Sequence, residues 1–331
     1  MESIVVNLQS TNENLEFDWL TQEVIVPEFD QIIEALRICS DLLLNNSPQR
    51  PDESQHIERG PPVKLPILLL KLETLKGIIT RDGAYITDLL FQIKEKHFNK
   101  ALSRVSLKKP ILLLQIITAK QSIEEAIKLI DQCKSHECHA HTQLVMAFEL
   151  MCRHLQVAKT ALQFPTDPNL IFPQHCMPRE SCEPDLPPLV AMDVYINQAE
   201  ICVDLKYLHV VSELPWGDIA PLGRSYVDII KDEIQQGQPL DPSYITRRIH
   251  ELASNDGESL FFSNMLNMMK PKYDPIDYVT KCVTYRGGVV MIVKKIEVAS
   301  PDPVLVSAFT KLDSMEYLIT RFLENLNNIT K

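Results

Sequence analysis

A chain of 331 residues, 45% hydrophobic and with only 9 glycines, can bury a substantial core and has room for two domains or one large composite domain. A net charge of -11 and a pI near 5.3 argue against nucleic acid or an anionic membrane surface as the main partner. Eight cysteines without regular paired spacing read as reduced thiols of an intracellular protein, not as a disulfide framework.

Residues 15–44 predict a helix with Phe17, Leu20 and Val24 on one face, then Phe29, Ile32, Ile33, Leu36 and Leu43. Pro27 must kink it or begin a second piece. Residues 47–62 are polar and hold four prolines, so a mobile linker is expected there. The period then changes. Ile67-Leu68-Leu69-Leu70 is a short apolar run, residues 75–80 and 84–93 read as strands flanking the hairpin signal Asp82-Gly83, and residues 101–107 read as another strand.

Pro110 suits the first position of a helix reaching Cys133, with the seam Leu112, Ile116, Ala119, Ile123, Ala126, Ile130, Cys133. Residues 142–164 repeat the pattern with Leu144, Phe148, Met151, Leu155, Ala158 and Leu162, and the short connection implies an antiparallel pair. Residues 165–188 carry seven prolines and read as a crossing loop. Residues 189–196 and 200–211 predict two strands joined at Asn197-Gln198-Ala199. Residues 217–270 predict short helices, two of them near 226–234 and 244–252, and residues 278–285 a strand pairing with the next across Arg286-Gly287-Gly288.

The closing stretch organises the chain. Gly287-Gly288 opens a β-branched strand to Val298; Ser300-Pro301-Asp302-Pro303 stops it and starts a helix with Ser300 as the expected N-cap. The helix seam runs Leu305, Ala308, Leu312, Met315, Ile319, Phe322, Leu326, Ile329. Flanking positions carry Phe309, Leu318 and Leu323, wider than a two-stranded zipper needs, so a bundle closed within one chain is the main expectation and a self-associating coiled-coil adaptor the alternative.

The architecture expected is therefore α+β: an elongated antiparallel four-helix bundle that includes the N- and C-terminal helices, with an antiparallel β-sheet domain at one end. The bundle would comprise residues 15–45, 110–165 and 300–331. The sheet domain would comprise 65–107 and 189–299, with short helices inserted at about 217–270, and residues 47–63 and 165–188 would be loops. A helix of thirty residues is about 45 Å long. The first ten residues have no basic and apolar leader pattern, and no apolar run reaches a membrane-spanning length of about eighteen residues. The sequons at Asn45 and Asn328 then carry no meaning.

Cys133, His136, Cys138, His139 and His141 have metal-ligand spacing, with Cys176 and Cys182 within reach of the same set. Zinc sites use two separated pairs, however, and these residues crowd one inter-helix turn, so no metal is expected. There is no phosphate-cradling glycine loop and no serine in a nucleophile elbow. His209 reads as a strand residue, and Glu124-Glu125 as a solvated helix face. Lys108-Lys109 and Arg247-Arg248 are too short for a nucleic-acid patch. Catalytic residues and cofactors are expected to be absent. Residues 259–269 (SLFFSNMLNMM) offer Phe261, Phe262, Met265, Met268 and Met269 either as an adaptable partner-binding surface or as a helix face packed on the sheet.

Several of these stretches resemble the Rogdi family. The segment Leu186-Pro187 through Asp193-Val194-Tyr195-Ile196-Asn197, with Ile201-Cys202-Val203 and Tyr207-Leu208-His209, is similar to the family's signature. Glu16-Phe17-Asp18-Trp19-Leu20 is similar to its N-terminal helix start, and the closing strand and heptad helix to its leucine-zipper end. Lys76-Gly77-Ile78-Ile79-Thr80, Gly83-Ala84 and Glu125-Ala126-Ile127-Lys128-Leu129-Ile130 match in order and spacing. Residues 47–62 are not shared, and 217–270 are longer than in animal members, which points to the fungal branch. The resemblance implies a non-enzymatic subunit of RAVE, the regulator of the vacuolar and endosomal proton ATPase. Its implied partners are a large propeller-containing subunit, a small adaptor shared with ubiquitin ligases, and peripheral-sector subunits of the pump. It also implies a cytoplasmic protein recruited to vacuolar and endosomal membranes by those partners.

Overall fold

In the computed structural model, residues 14–68, 75–99, 102–135, 141–220, 223–255 and 272–329 are described. The first helix is interrupted: helical turns at 14–19 pass into a π-helix at Leu20–Ile25 and a 3-10 turn at Val26–Glu28, and a regular helix α1 runs Phe29–Asn45. Pro27 has no N–H to return to the preceding turn, which is why the regular ladder restarts only beyond it. The helix ends at Asn46, in the left-handed conformation that Asn tolerates.

Three further long helices follow: α2 at Leu114–Lys134, α3 at His141–Gln163 and, at the end of the chain, a helix at Pro303–Ile329. Each of the four packs on two of the others: α1 on α2 and the final helix, α3 on the same two. Phe148 of α3 joins them, its ring 6.3 Å from Phe29 and 6.1 Å from Phe322, the latter edge-on. The α2 helix starts later than Pro110 because Ile111 and Leu112 pair as a strand with Tyr85 and Ile86; Leu112 is thus exposed, and the buried seam begins at Ile116.

The strands form two antiparallel sheets where one was expected. In the first, β1 (Val63–Leu68), β2 (Leu75–Asp82), β3 (Tyr85–Ile93), β4 (Arg104–Leu107) and β6 (Cys182–Glu183) lie in that order, and β5 (Ile111–Leu112) shares an edge of β3 with β4. In the second, the order is β7 (Val190–Asn197), β8 (Glu200–Val210), β10 (Gly288–Pro301), β9 (Cys282–Tyr285). β8 lies between β7 and β10, and β9 covers the other edge of β10 at Gly288–Met291; the strands before Leu113 pair with one another and, through β4, with β6. Ser300 Oγ donates to Pro66 O at 3.0 Å where the two sheets meet.

Three other expectations are corrected. Residues 47–62 are held down and are no mobile linker: Gly60 N donates to Asn45 O at 2.9 Å, and Arg59 reaches both Leu44 O and Asp82. Ser300 does not cap the last helix, because β10 continues through Pro301; Asp302 caps it, Oδ1 accepting from the N–H groups of Val304 and Leu305 at 2.9 and 3.1 Å. Residues 275–281 form a helix capped by Asp274, and only Cys282–Tyr285 make the strand.

The helices Tyr226–Gln235, Pro242–Asn255, Pro275–Lys281 and Pro303–Ile329 are α4 to α7. A single buried cluster runs through α1, α2, α3, α7 and the inner faces of both sheets. A second cluster gathers α4, α5 and α6 against β9 and the start of β10, with Trp216 stacked on Tyr278 at 4.3 Å.

Where α1, the β2–β3 hairpin and α7 meet, Arg81 and Asp302 are both 0% exposed. Arg81 Nε and Nη2 donate to the two Asp302 oxygens at 2.5 and 3.2 Å, and Nη1 to Asn46 Oδ1 and Gly83 O at 2.9 and 2.7 Å. Gly83 has φ +58°, and a Cβ there would stand 2.3 Å from Leu44 O, so the turn requires glycine.

Candidate partner-binding surfaces

The seam of α7 faces inward. Leu305, Leu312, Ile319, Phe322 and Leu326 are buried and Met315 partly so, against α1 and α3. Its outward positions include the exposed Val306 and Tyr317. Phe261, Phe262, Met265, Met268 and Met269 lie outside the described residues. The elements before and after them, α5 and α6, pack on each other in the second core.

Of the Cys and His residues with ligand spacing, His136, Cys138 and His139 lie outside the described residues. Cys133 is buried on α2. His141 opens α3 with its ring 5.3 Å from Phe17 and Nε2 donating to Leu326 O at 2.9 Å, which ties the N-terminal helical turns to the last turns of α7. Cys176 Sγ lies 3.0 Å from the Tyr285 hydroxyl. Burial pushes the Cys182 thiol up to about 11 and those of Cys39, Cys202 and Cys282 up to about 12. All four are therefore protonated thiols at neutral pH and poor nucleophiles or ligands. Among the described residues, no three His, Cys, Asp or Glu groups are gathered to hold a metal ion.

Of the charged residues singled out in the sequence, Lys108, Glu124, Glu125, Arg247 and Arg248 make local ion pairs. Glu124 meets Lys120 at 2.8 Å, Glu125 meets Lys128 at 2.6 Å, and Lys108 lies between Glu183 and Asp185. Arg248 clamps Glu233 with Nε and Nη2, joining α5 to α4, and Arg247 meets Glu251. His209 is 3.5 Å from Lys272 Nζ beside the Tyr273 ring. A surface hollow of about 440 Å³ lined by Glu34, Arg37, Asp41, Gln49 and Arg50 mixes both signs of charge and converges on no single chemistry.

One cluster escaped the sequence reading. Opposite the inner face of the second sheet, Asp193, Asp204 and Glu297 lie abreast on β7, β8 and β10, next to Lys206 and Lys295. Lys206 Nζ bonds Asp204 at 2.7 Å and Asp193 at 3.1 Å, under the Phe172 ring. Lys295 bonds Glu297 at 2.7 Å, and Tyr195 donates to Glu297 at 2.9 Å. Asp193 and Asp204 are buried, and Oδ1 of each has no hydrogen-bond partner among the described residues. Burial pushes the Asp193 carboxyl up; the Lys206 ammonium and the Phe172 N–H pull it down, and Asp204 adds to the push. The cluster is a ladder of paired charges across three strands, with the Phe172 N–H closing on Asp193 at 3.2 Å from the loop above.

Exposed apolar groups occur on helix faces. Leu15 and Trp19 stand out on the N-terminal turns, and Met146, Leu150 and Val157 on the outer side of α3. No helix among the described residues is long and apolar enough to cross a membrane. Residues 16–327 match the family described as Rogdi leucine zipper containing protein. The chain is also 22% identical over 335 residues to the Saccharomyces cerevisiae regulator of V-ATPase in vacuolar membrane protein 2, the alignment covering 94% of this chain and 90% of that one.

Proposed function

The chain belongs to the Rogdi leucine zipper family, and from that premise we propose that it is a non-enzymatic subunit of the RAVE complex. In that role it promotes assembly of the vacuolar and endosomal proton-transporting ATPase by helping the peripheral sector rejoin the membrane sector. The observation that carries the reading is the extent of the match to a protein named as a regulator of this pump: it spans helices and sheets alike instead of one motif.

The protein acts as a scaffold. α1, α2, α3 and α7 form an elongated antiparallel four-helix bundle, α7 alone being about 40 Å long at 1.5 Å per residue. The sheets and the second core stand at one end of it. A rigid body of this kind holds two partners at a fixed separation without making or breaking a bond. The partners are the large propeller-containing subunit of RAVE, the small adaptor shared with ubiquitin ligases, and peripheral-sector subunits of the pump. Residence is cytoplasmic, with recruitment to vacuolar and endosomal membranes through those partners. The buried, protonated thiols and the locally paired charges support a binding role over an enzymatic one. The self-associating adaptor would need the α7 seam free to meet a second chain, and that seam is buried inside this one.

Affinity purification of the tagged protein from cytosol, with mass spectrometry of the co-purifying chains, tests the proposal. The expected result is a very large propeller subunit together with peripheral subunits of the proton pump, and slowed acidification of the vacuole when the protein is removed. Recovery of the protein alone, or only with itself, overturns it.

A further inference from the structure

The N-terminal helical turns are amphipathic in an unusual way. Phe17, Leu20 and Ile25 face the core, and Phe17 rests on His141. The opposite side carries Leu15 and Trp19, one helical turn apart and 62% and 61% exposed. Tryptophan is among the residues most enriched at the energetic centres of interfaces. The π-helix beginning at Leu20 directly follows Trp19, and such wide turns recur at functional positions.

Charge says what would cover this face. Residues 14–36 contain Glu16, Asp18, Glu23, Glu28, Asp30 and Glu34 and no Lys or Arg. Glu16, Asp18 and Glu23 are exposed and flank the Leu15–Trp19 pair. The nearest base with a bond to this stretch, Lys134, is taken by Asp30. The last turn of α7, the negative end of its dipole, is tied to the same turns through His141. An apolar anchor ringed by carboxylates that have no ion-pair partner among the described residues repels nucleic acid and anionic lipid, and attracts a segment that brings both an apolar face and positive charge.

We propose that Leu15 and Trp19, with Glu16, Asp18 and Glu23, form a docking surface for a basic amphipathic helix of a partner protein. The apolar side chains of that helix would bury Trp19, and its Lys or Arg residues would lie along the acidic rim. The proposal stands on this geometry alone and does not depend on which complex the protein serves.

The chain provides its own probe. It has two tryptophans, and Trp216 is buried against Tyr278, so Trp19 is the solvent-exposed emitter. The full chain is titrated with a labelled amphipathic peptide of leucine and lysine, and separately with the same pattern built from leucine and glutamate. The lysine peptide is expected to bind with a blue shift and reduced acrylamide quenching of Trp19, and the glutamate peptide not to bind. Leu15→Ala and Trp19→Phe should each weaken binding of the labelled peptide severalfold, and the triple variant Glu16→Gln/Asp18→Asn/Glu23→Gln at least tenfold. Both positions are exposed, so unchanged thermal midpoints will show that the variants fold. A control triple with the same charge change elsewhere on the surface, Glu58→Gln/Asp88→Asn/Glu180→Gln, should bind as the unaltered chain does. Equal weakening by the control, binding indifferent to Trp19, or light scattering that shows self-association through Trp19 each overturns the proposal. So does a Trp19 shift with neutral lipid vesicles in place of one with the lysine peptide.

Discussion

Arg81 and Asp302 show what a buried ion pair does at a junction. Arg81 sits at the end of β2, while Asp302 accepts its guanidinium and the first free N–H groups of α7 at once. Removing one charge strands the other without water, a loss of about 3–5 kcal/mol for such pairs. Arg81→Met should therefore lower the free energy of unfolding in urea by about that much. Arg81→Met/Asp302→Asn should recover part of it, because Asn still caps the helix and leaves no lone charge. A double variant less stable than the single would sink this account. At Asp193 the sign runs with pH. Its folded carboxyl is pushed above the ordinary 3.8 chiefly by burial. The folded chain thus holds that proton more tightly than the unfolded one. The contribution is fully present below the unfolded pKa and is lost as pH rises through the folded value. The groups acting on it are Lys206 and Asp204 on β8 and the Phe172 N–H, with the Tyr285 hydroxyl of β9 also within electrostatic reach. The stability difference between the unaltered chain and Asp193→Asn should fall as pH rises through this window, by at most about 1.4 kcal/mol per pH unit, and then level off. Urea unfolding of both at matched pH values reads it; a difference that rises with pH would show that Lys206, not burial, governs the carboxyl.

At the scale of the element, Phe148 is the position where three helices depend on one ring. Phe148→Ala should cost about 3–5 kcal/mol, whereas Tyr317→Ala on the outer face of α7 should stay within about 0.5 kcal/mol. Thermal or urea unfolding separates them, and similar losses at the two sites would mean that the outer face of α7 is covered after all. The inward residues of α2, α3 and α7 were readable because a 3-4 spacing of apolar residues says which face is buried. Asp82-Gly83 was readable because few residues accept the backbone of that turn. Period-2 alternation, by contrast, marks the faces of a strand and is silent about its neighbours, so two sheets looked like one. Ser300 is a good cap by type, but β10 extends three residues past Val298 and hands the role to Asp302. Tyr278 looked like a strand residue because a seven-residue helix is held by its stack on Trp216, a contact with no local signal. The Asp193–Asp204 juxtaposition was accessible in principle: counting outward from the turn at Gln198 and Ala199 pairs the two directly. The exposure of Trp19 had no sequence signal, since a tryptophan beside Leu20 reads equally well as core.

At the scale of the whole molecule, the two buried clusters decide how the protein comes apart. The larger joins four helices to the inner faces of both sheets, so helices and sheets cannot separate without exposing common core. The smaller holds α4, α5 and α6 against β9 and the start of β10 around Trp216 and Tyr278, and shares strands but not buried contacts with the first. A unit that opens locally needs only its own core to be lost, so amides of α4 to α6 should exchange through a lower-energy opening than those of α2, α3 and α7. Ile249→Ala removes buried volume from the smaller core alone, at a cost of about 2–4 kcal/mol. In hydrogen exchange with mass spectrometry, it should speed exchange across α4, α5 and α6 while α2 and α3 keep their protection. Phe148→Ala should lower the protection of the four long helices and of β7, β8 and the central part of β2 together. If Ile249→Ala instead lowered protection evenly through the chain, the two cores would form one cooperative unit, and the α4–α6 region would move only when the whole protein unfolds. If it loosens that region alone, the four long helices stay a rigid frame while α4 to α6 open beside β9.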